Sequence, residues 1–89
     1  MNGKGIKSYV ITRHAKLELG RRALGENIIK SVISNPEQRI DLRKGRVVLQ
    51  SRVTLEGKQY LVRVFVDIDR EPAQIVTAYR TSKISKYWR

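Results

Sequence analysis

The spacing of apolar residues changes at Asn35-Pro36, and that change limits the folds open to this chain. Before it, Ala15, Leu19 and Leu24, then Ile28, Ile29, Val32 and Ile33, follow intervals of three to five residues or sit side by side. Such spacing gathers side chains on one face of a helix. After it, Val47, Leu49, Val53 and Leu55, then Val62, Val64 and Val66, fall at even separations, the period of a strand with one buried face. A helical half followed by an alternating half predicts an α+β domain, a helix pair packed on an antiparallel sheet of about four strands.

Local chemistry supplies the boundaries. Residues 8–12 read as a short strand, and the Thr12 hydroxyl is placed to cap a helix over 13–22. Gly25 opens a second helix over 26–34, which Asn35-Pro36 ends because proline pushes the preceding residue out of the α region. Four runs follow at 39–43, 46–55, 59–68 and 73–80, separated by Lys44-Gly45, Glu56-Gly57-Lys58 and Asp69-Arg70-Glu71-Pro72. These spacings suit a meander closed by a short helical tail. Residues 1–7, with Gly3 and Gly5, read as a loose lead-in, and 89 residues allow one domain with one modest core.

Nineteen Lys and Arg against eight Asp and Glu leave a net charge of +11, whose self-repulsion calls for a polyanionic partner. The charge concentrates at the end. Cations stand at 80, 83, 86 and 89 among Tyr79, Tyr87 and Trp88, and no acid follows Glu71. Cations bind phosphates with release of counterions, and aromatic rings offer faces for base stacking. The competing reading is a solvated terminal helix whose Tyr and Trp dock on the core. No apolar run approaches the roughly 20 residues that span a bilayer, and the start has no hydrophobic signal region, so a membrane is not an expected partner and the cytoplasm is the expected location. Without cysteine there is no disulfide, thiolate metal site or cysteine nucleophile. No phosphate-binding Gly-rich loop, zinc spacing or serine-nucleophile motif is present, so neither cofactor nor metal is expected. Asp67 and Asp69 can in principle reach a magnesium ion, but their place at a turn favours shaping that turn.

Alternation divides the strands into faces. Arg46, Gln50 and Arg52 oppose the Val47 set, and Leu61, Arg63, Phe65 and Asp67 oppose the Val62 set, while 73–80 can face either way. With helices over the valines, Arg46, Arg52 and Arg63 are exposed beside Leu61 and Phe65, a surface able to hold an RNA backbone. No acid stands in mid-strand to balance them. The other reading is an ordinary half-exposed face with arginines for solubility.

Thr12-Arg13-His14-Ala15, then Leu19, Arg22, Leu24 and Asn35-Pro36, together with the closing Thr77-Ala78-Tyr79-Arg80-Thr81-Ser82-Lys83-Ile84 and Lys86-Tyr87-Trp88, resemble a prokaryotic family described only as a domain of unknown function, DUF4258. The resemblance spans about 9 to 88. That family is similar in organisation to the RelE/ParE toxin superfamily. The resemblance implies a helix pair on a curved antiparallel sheet and a toxin-like domain. Ribonuclease members of the superfamily cleave messenger RNA on the ribosome without metal and are silenced by an acidic, partly disordered antitoxin; others act on targets such as gyrase.

Metal-free RNA cleavage needs a base for the 2′-hydroxyl, cations for the crowded phosphorane and an acid for the leaving oxygen. Imidazole is the side chain suited to proton transfer near neutrality, and His14 is the only one. Arg52, Arg63 and Arg80 are candidates for phosphate and transition-state contacts, because guanidinium binds phosphate through two bonds. Tyr79 can stack or act as a weak acid. Arg46, Phe65, Lys83, Lys86, Tyr87 and Arg89 complete the expected RNA surface. Against these stand plainer roles: His14 packed or bonded to a backbone carbonyl, Arg22 holding the first helix to the tail, Tyr79 in the core with its hydroxyl bonded. The expectation is an RNA-binding, metal-independent endoribonuclease; the alternatives are a nucleic-acid-binding module without chemistry and a toxin-like domain that binds an acidic protein.

Overall fold

The computed structural model describes residues 5–89, so Gly3 and the first part of the expected lead-in lie outside the described residues. Gly5 and Ile6 are not loose. The Ile6 N–H donates to the Ile33 carbonyl at 3.0 Å and Ile6 packs on the core, with Gly5 so close to the Ser34 carbonyl that a Cβ would collide with it.

Helix α1 (Arg13–Arg21) begins where the Thr12 hydroxyl accepts the Ala15 N–H at 3.1 Å, the cap its sequence predicts. It closes through Leu24 N–H to the Leu19 carbonyl at 3.0 Å, with Ala23 at a left-handed φ of 54°. That closure folds Leu24 back beside Leu19, and both are buried. Helix α2 (Glu26–Ser34) buries Ile29, Val32 and Ile33.

The sheet has five strands, ordered β1-β5-β4-β3-β2. Strands β2 (Gln38–Arg43), β3 (Arg46–Leu55), β4 (Lys58–Asp67) and β5 (Ala73–Thr81) form the expected antiparallel meander. Strand β1 (Tyr9–Ile11) adds to β5 in parallel, so the sheet is mixed rather than a four-stranded antiparallel one. The two helices carry the chain from β1 to the far edge, and the meander then returns it to β1's side. Three residues are too few to announce a partner by alternation. The β3–β4 turn places Glu56 at φ 52° and Gly57 at φ 78°, the twist-matched two-residue hairpin.

In β5 the register slips: Val66 faces Ile75 and Phe65 faces Thr77, leaving Val76 between. This bulge reverses the parity of the run, which is why alternation alone could not orient it. Helix α1 lies on β5 and α2 on β3 and β4. Their apolar faces bury Val47, Leu49, Val62, Val64, Val66, Ile75 and Ala78. Arg22 donates to the Thr77 hydroxyl at 3.2 Å and the Ala78 carbonyl at 2.8 Å, so it anchors α1 to β5, not to the tail. The single turn α3 (Ile84–Tyr87) and Trp88 fold over the opposite face of the sheet. Among the described residues no helix is long and apolar enough to cross a membrane.

Candidate functional site

The sheet face away from the helices is centred on a buried cation. Arg63 is 8% exposed, and its neighbours Val48, Gln50 and Leu61 are fully buried. Its Nε donates to Gln50 Oε1 at 2.8 Å and its Nη1 to the Tyr79 hydroxyl at 2.7 Å. The guanidinium carbon lies 4.5 Å from the ring centre of Tyr87, 5.5 Å from Phe65 and 5.8 Å from Tyr79. Tyr79 packs in turn on Phe65 and edge-on to Tyr87, at 5.9 and 6.3 Å. No carboxylate pairs with Arg63 among the described residues. Removing an unpaired charge from water is costly, and ring faces offset only part of that cost.

The tail is tied down by side-chain amides. Gln50 Nε2 donates to the Tyr87 carbonyl at 3.2 Å and to Gln38 Oε1 at 2.8 Å. Gln38 in turn donates to the Arg89 carbonyl at 2.7 Å and accepts the Arg89 N–H at 3.1 Å. Trp88 sits with its ring centre 4.1 Å from the Arg52 guanidinium.

The other two arginines expected on this face, Arg52 and Arg46, are paired with acids. Glu37 accepts Arg52 Nε and Nη2 at 3.2 and 3.0 Å and the Arg52 backbone N–H at 2.7 Å. Those bonds lower the Glu37 pKa and raise that of Arg52. Asp67 stands opposite Arg46 and accepts its Nε at 2.6 Å and Nη2 at 3.0 Å, which lowers the Asp67 pKa and raises that of Arg46.

The structure therefore brings Arg63, Phe65, Tyr79 and Tyr87 into one cluster, with Arg52 and Trp88 beside it. It does not present the open arginine groove that alternation suggested. The tail covers that face, and acids at strand ends and in the loop before β2 pair with Arg46 and Arg52. Tyr87 turns inward and Phe65 is half-buried, so neither is a free stacking platform. Arg80 is registered with Val62, on the helix-covered side, and lies over Tyr60 at 4.8 Å. His14 is 76% exposed on α1 with Nε2 3.4 Å from Glu18 Oε2, and neither Arg63 nor Tyr79 is among its partners. Glu18 also accepts from Thr77 at 2.6 Å, the main reason its pKa is lowered. Lys83, Lys86 and Arg89 are exposed and unpaired by acids among the described residues. Asp69 lies against Gly45 in the turn, where Gly45 holds φ 83° and a Cβ would meet the carboxyl group, so it shapes the turn.

Sequence reading missed Gln50, Glu37 and Gln38. Gln50 carries a signal, a polar residue directly after the apolar run Val47-Val48-Leu49. Glu37 and Gln38 carry none, since their partners become neighbours only through the β2–β3 register and the path of the tail.

A helix pair on one face of a mixed sheet, with a basic aromatic tail on the other, defines an α+β domain built around a covered cation. The chain belongs to the family described as a domain of unknown function, DUF4258, whose model matches residues 11–80. The matched span ends before Thr81, so the Thr81-to-Trp88 part of the expected resemblance lies beyond it. No curated protein and no solved structure matches the chain.

Proposed function

We propose that this chain is a nucleic-acid-binding domain that grips the phosphate backbone of single-stranded RNA with its tail-covered face. The observation that carries this reading is the set of exposed, acid-free cations Lys83, Lys86 and Arg89, next to the aromatic cluster of Phe65, Tyr79, Tyr87 and Trp88. A net charge of +11 adds long-range attraction for a polyanion. The choice of RNA over DNA rests on the RelE/ParE resemblance expected from the sequence motifs, which the family match does not itself carry.

One observation favours cleavage as a second reading: the Arg63–Tyr79 hydrogen bond joins a cation and a phenol, the stabiliser and acid that metal-free phosphoryl transfer needs. His14 pairs with Glu18 on α1 and with neither member of that pair, so binding without scission is the better-supported role.

Titration of a labelled oligouridylate at several salt concentrations tests both. Binding predicts log K falling linearly with log salt, with a slope of about 0.7 per neutralised phosphate. A flat dependence, or equal affinity for polyglutamate, contradicts it. Incubating the same RNA with the protein and EDTA tests scission: intact RNA after prolonged incubation rejects the ribonuclease.

A further inference from the structure

Among the described residues, Arg63 is the one sheet arginine with neither a carboxylate partner nor an open path to water. We propose, resting on the RNA-binding reading above, that Arg63, Gln50 and Tyr79 form a receptor for a single RNA phosphate, closed in this structure by Tyr87 and opened when the segment 84–89 swings off the sheet.

The guanidinium has donors to spare. It carries five N–H groups, and among the described residues its hydrogen bonds go only to Gln50 Oε1 and the Tyr79 hydroxyl. A phosphate oxygen pair can take the remaining edge through two parallel bonds, and the surrounding apolar atoms make such bonds stronger than on a wet surface. Once Tyr87 leaves, Gln50 Nε2 loses its bond to the Tyr87 carbonyl and becomes a further donor. Phe65 and Tyr79 then offer ring faces to a flanking base.

The cover is lightly built. Helix α3 is four residues long, buries none of them, and has no side-chain cap at its start. Its ties to the sheet are amide bonds from Gln38 and Gln50, which water can replace, and stacks on Arg52 and Arg63. The tail's own cations, Lys86 and Arg89, bracket Tyr87, the ring over the acid-free Arg63, and gain by moving to a phosphate backbone. Binding and opening are thus one event, and the affinity of the closed chain is reduced by the fraction of time the tail is open.

Tyr87→Ala removes the ring without changing any charge. Its affinity for inorganic phosphate and for oligouridylate is expected to rise about tenfold over wild type as the open fraction grows. Adding Arg63→Lys should cancel that rise, because an ammonium lacks the planar fork. RNA binding by wild type with no gain in Tyr87→Ala, or a gain that survives Arg63→Lys, overturns the receptor and leaves the binding reading standing. Hydrogen exchange on the unaltered chain gives a second measure that no folding defect can obscure. RNA should speed exchange at the Trp88 and Arg89 amides; slowed or unchanged exchange there means a closed tail in the complex and overturns the proposal.

Discussion

The two faces of the sheet are closed by different physics. Under the helices, β3 and β4 present Val47, Leu49, Val62, Val64 and Val66 to Ile29, Val32 and Ile33, an apolar contact throughout. Under the tail, the same strands present Gln50 and Arg63, closed by Tyr87, Trp88 and the Gln38 amide. Each fully buried Val, Leu or Ile on the first face is worth about 1.5–3 kcal/mol. A cation–ring contact on the second gives about 0.5–2 kcal/mol, and its amide bonds compete with water. The first face makes the fold; the second can open without undoing it.

The largest expected effect tests that division directly. Leu49→Ala, on the helix-covered face, should cost about 2–5 kcal/mol in urea unfolding, because it leaves a cavity in a packed core. Tyr87→Ala, on the other face, should cost about 1 kcal/mol, the worth of its ring contacts. Equal losses from the two would erase the distinction.

Charge removal on the tail should separate binding from stability. Lys83→Gln with Lys86→Gln should leave the unfolding free energy within about 0.5 kcal/mol, as exposed substitutions do. The same pair should lower the salt slope for oligouridylate by about 0.7 for each phosphate that the lysines no longer neutralise. An unchanged slope would remove these lysines from the interface.

The smallest effects concern the acids that pin the arginines. Glu37 and Asp67 lose their protons more readily in the folded chain than at their ordinary values of 4.5 and 3.8. Their pairs therefore contribute fully above those values, and the contribution fades as pH falls through the lowered ones. The unfolding midpoint should hold steady down to about pH 5 and then drop. Glu37→Gln should shallow that drop, since it deletes one of the groups that must be protonated; an unaltered acid limb would deny Glu37 its role on Arg52.

Much of the helix-covered face was legible from local signals. Gly25 and Asn35-Pro36 bracket α2, the Gly45 and Gly57 turns bracket β3, and the Thr12 cap starts α1 where the hydroxyl predicts. Alternation also sorted the β3 and β4 side chains correctly. What stayed hidden depends on contacts distant in sequence. The parallel seat of β1 depends on β5, and the β5 bulge defeats a parity argument. The tail's fate is the sharpest case. Cations every third residue read the same whether a segment is solvated or docked, and only the meeting of Tyr87 with Arg63 and of Trp88 with Arg52 decides it. Acidic partners were underestimated for a similar reason, because Glu37 meets Arg52 and Asp67 meets Arg46 only after the strands pair.

The most direct measurement is a residue-by-residue map of backbone amide shifts on adding oligouridylate to the labelled chain. An RNA grip by the tail-covered face predicts changes gathered at 79–89 and around Gln50, Arg52 and Arg63. Changes gathered instead at Arg13, Lys16, Arg21 and Lys30, the cations of the helix side, with a silent tail, would contradict it.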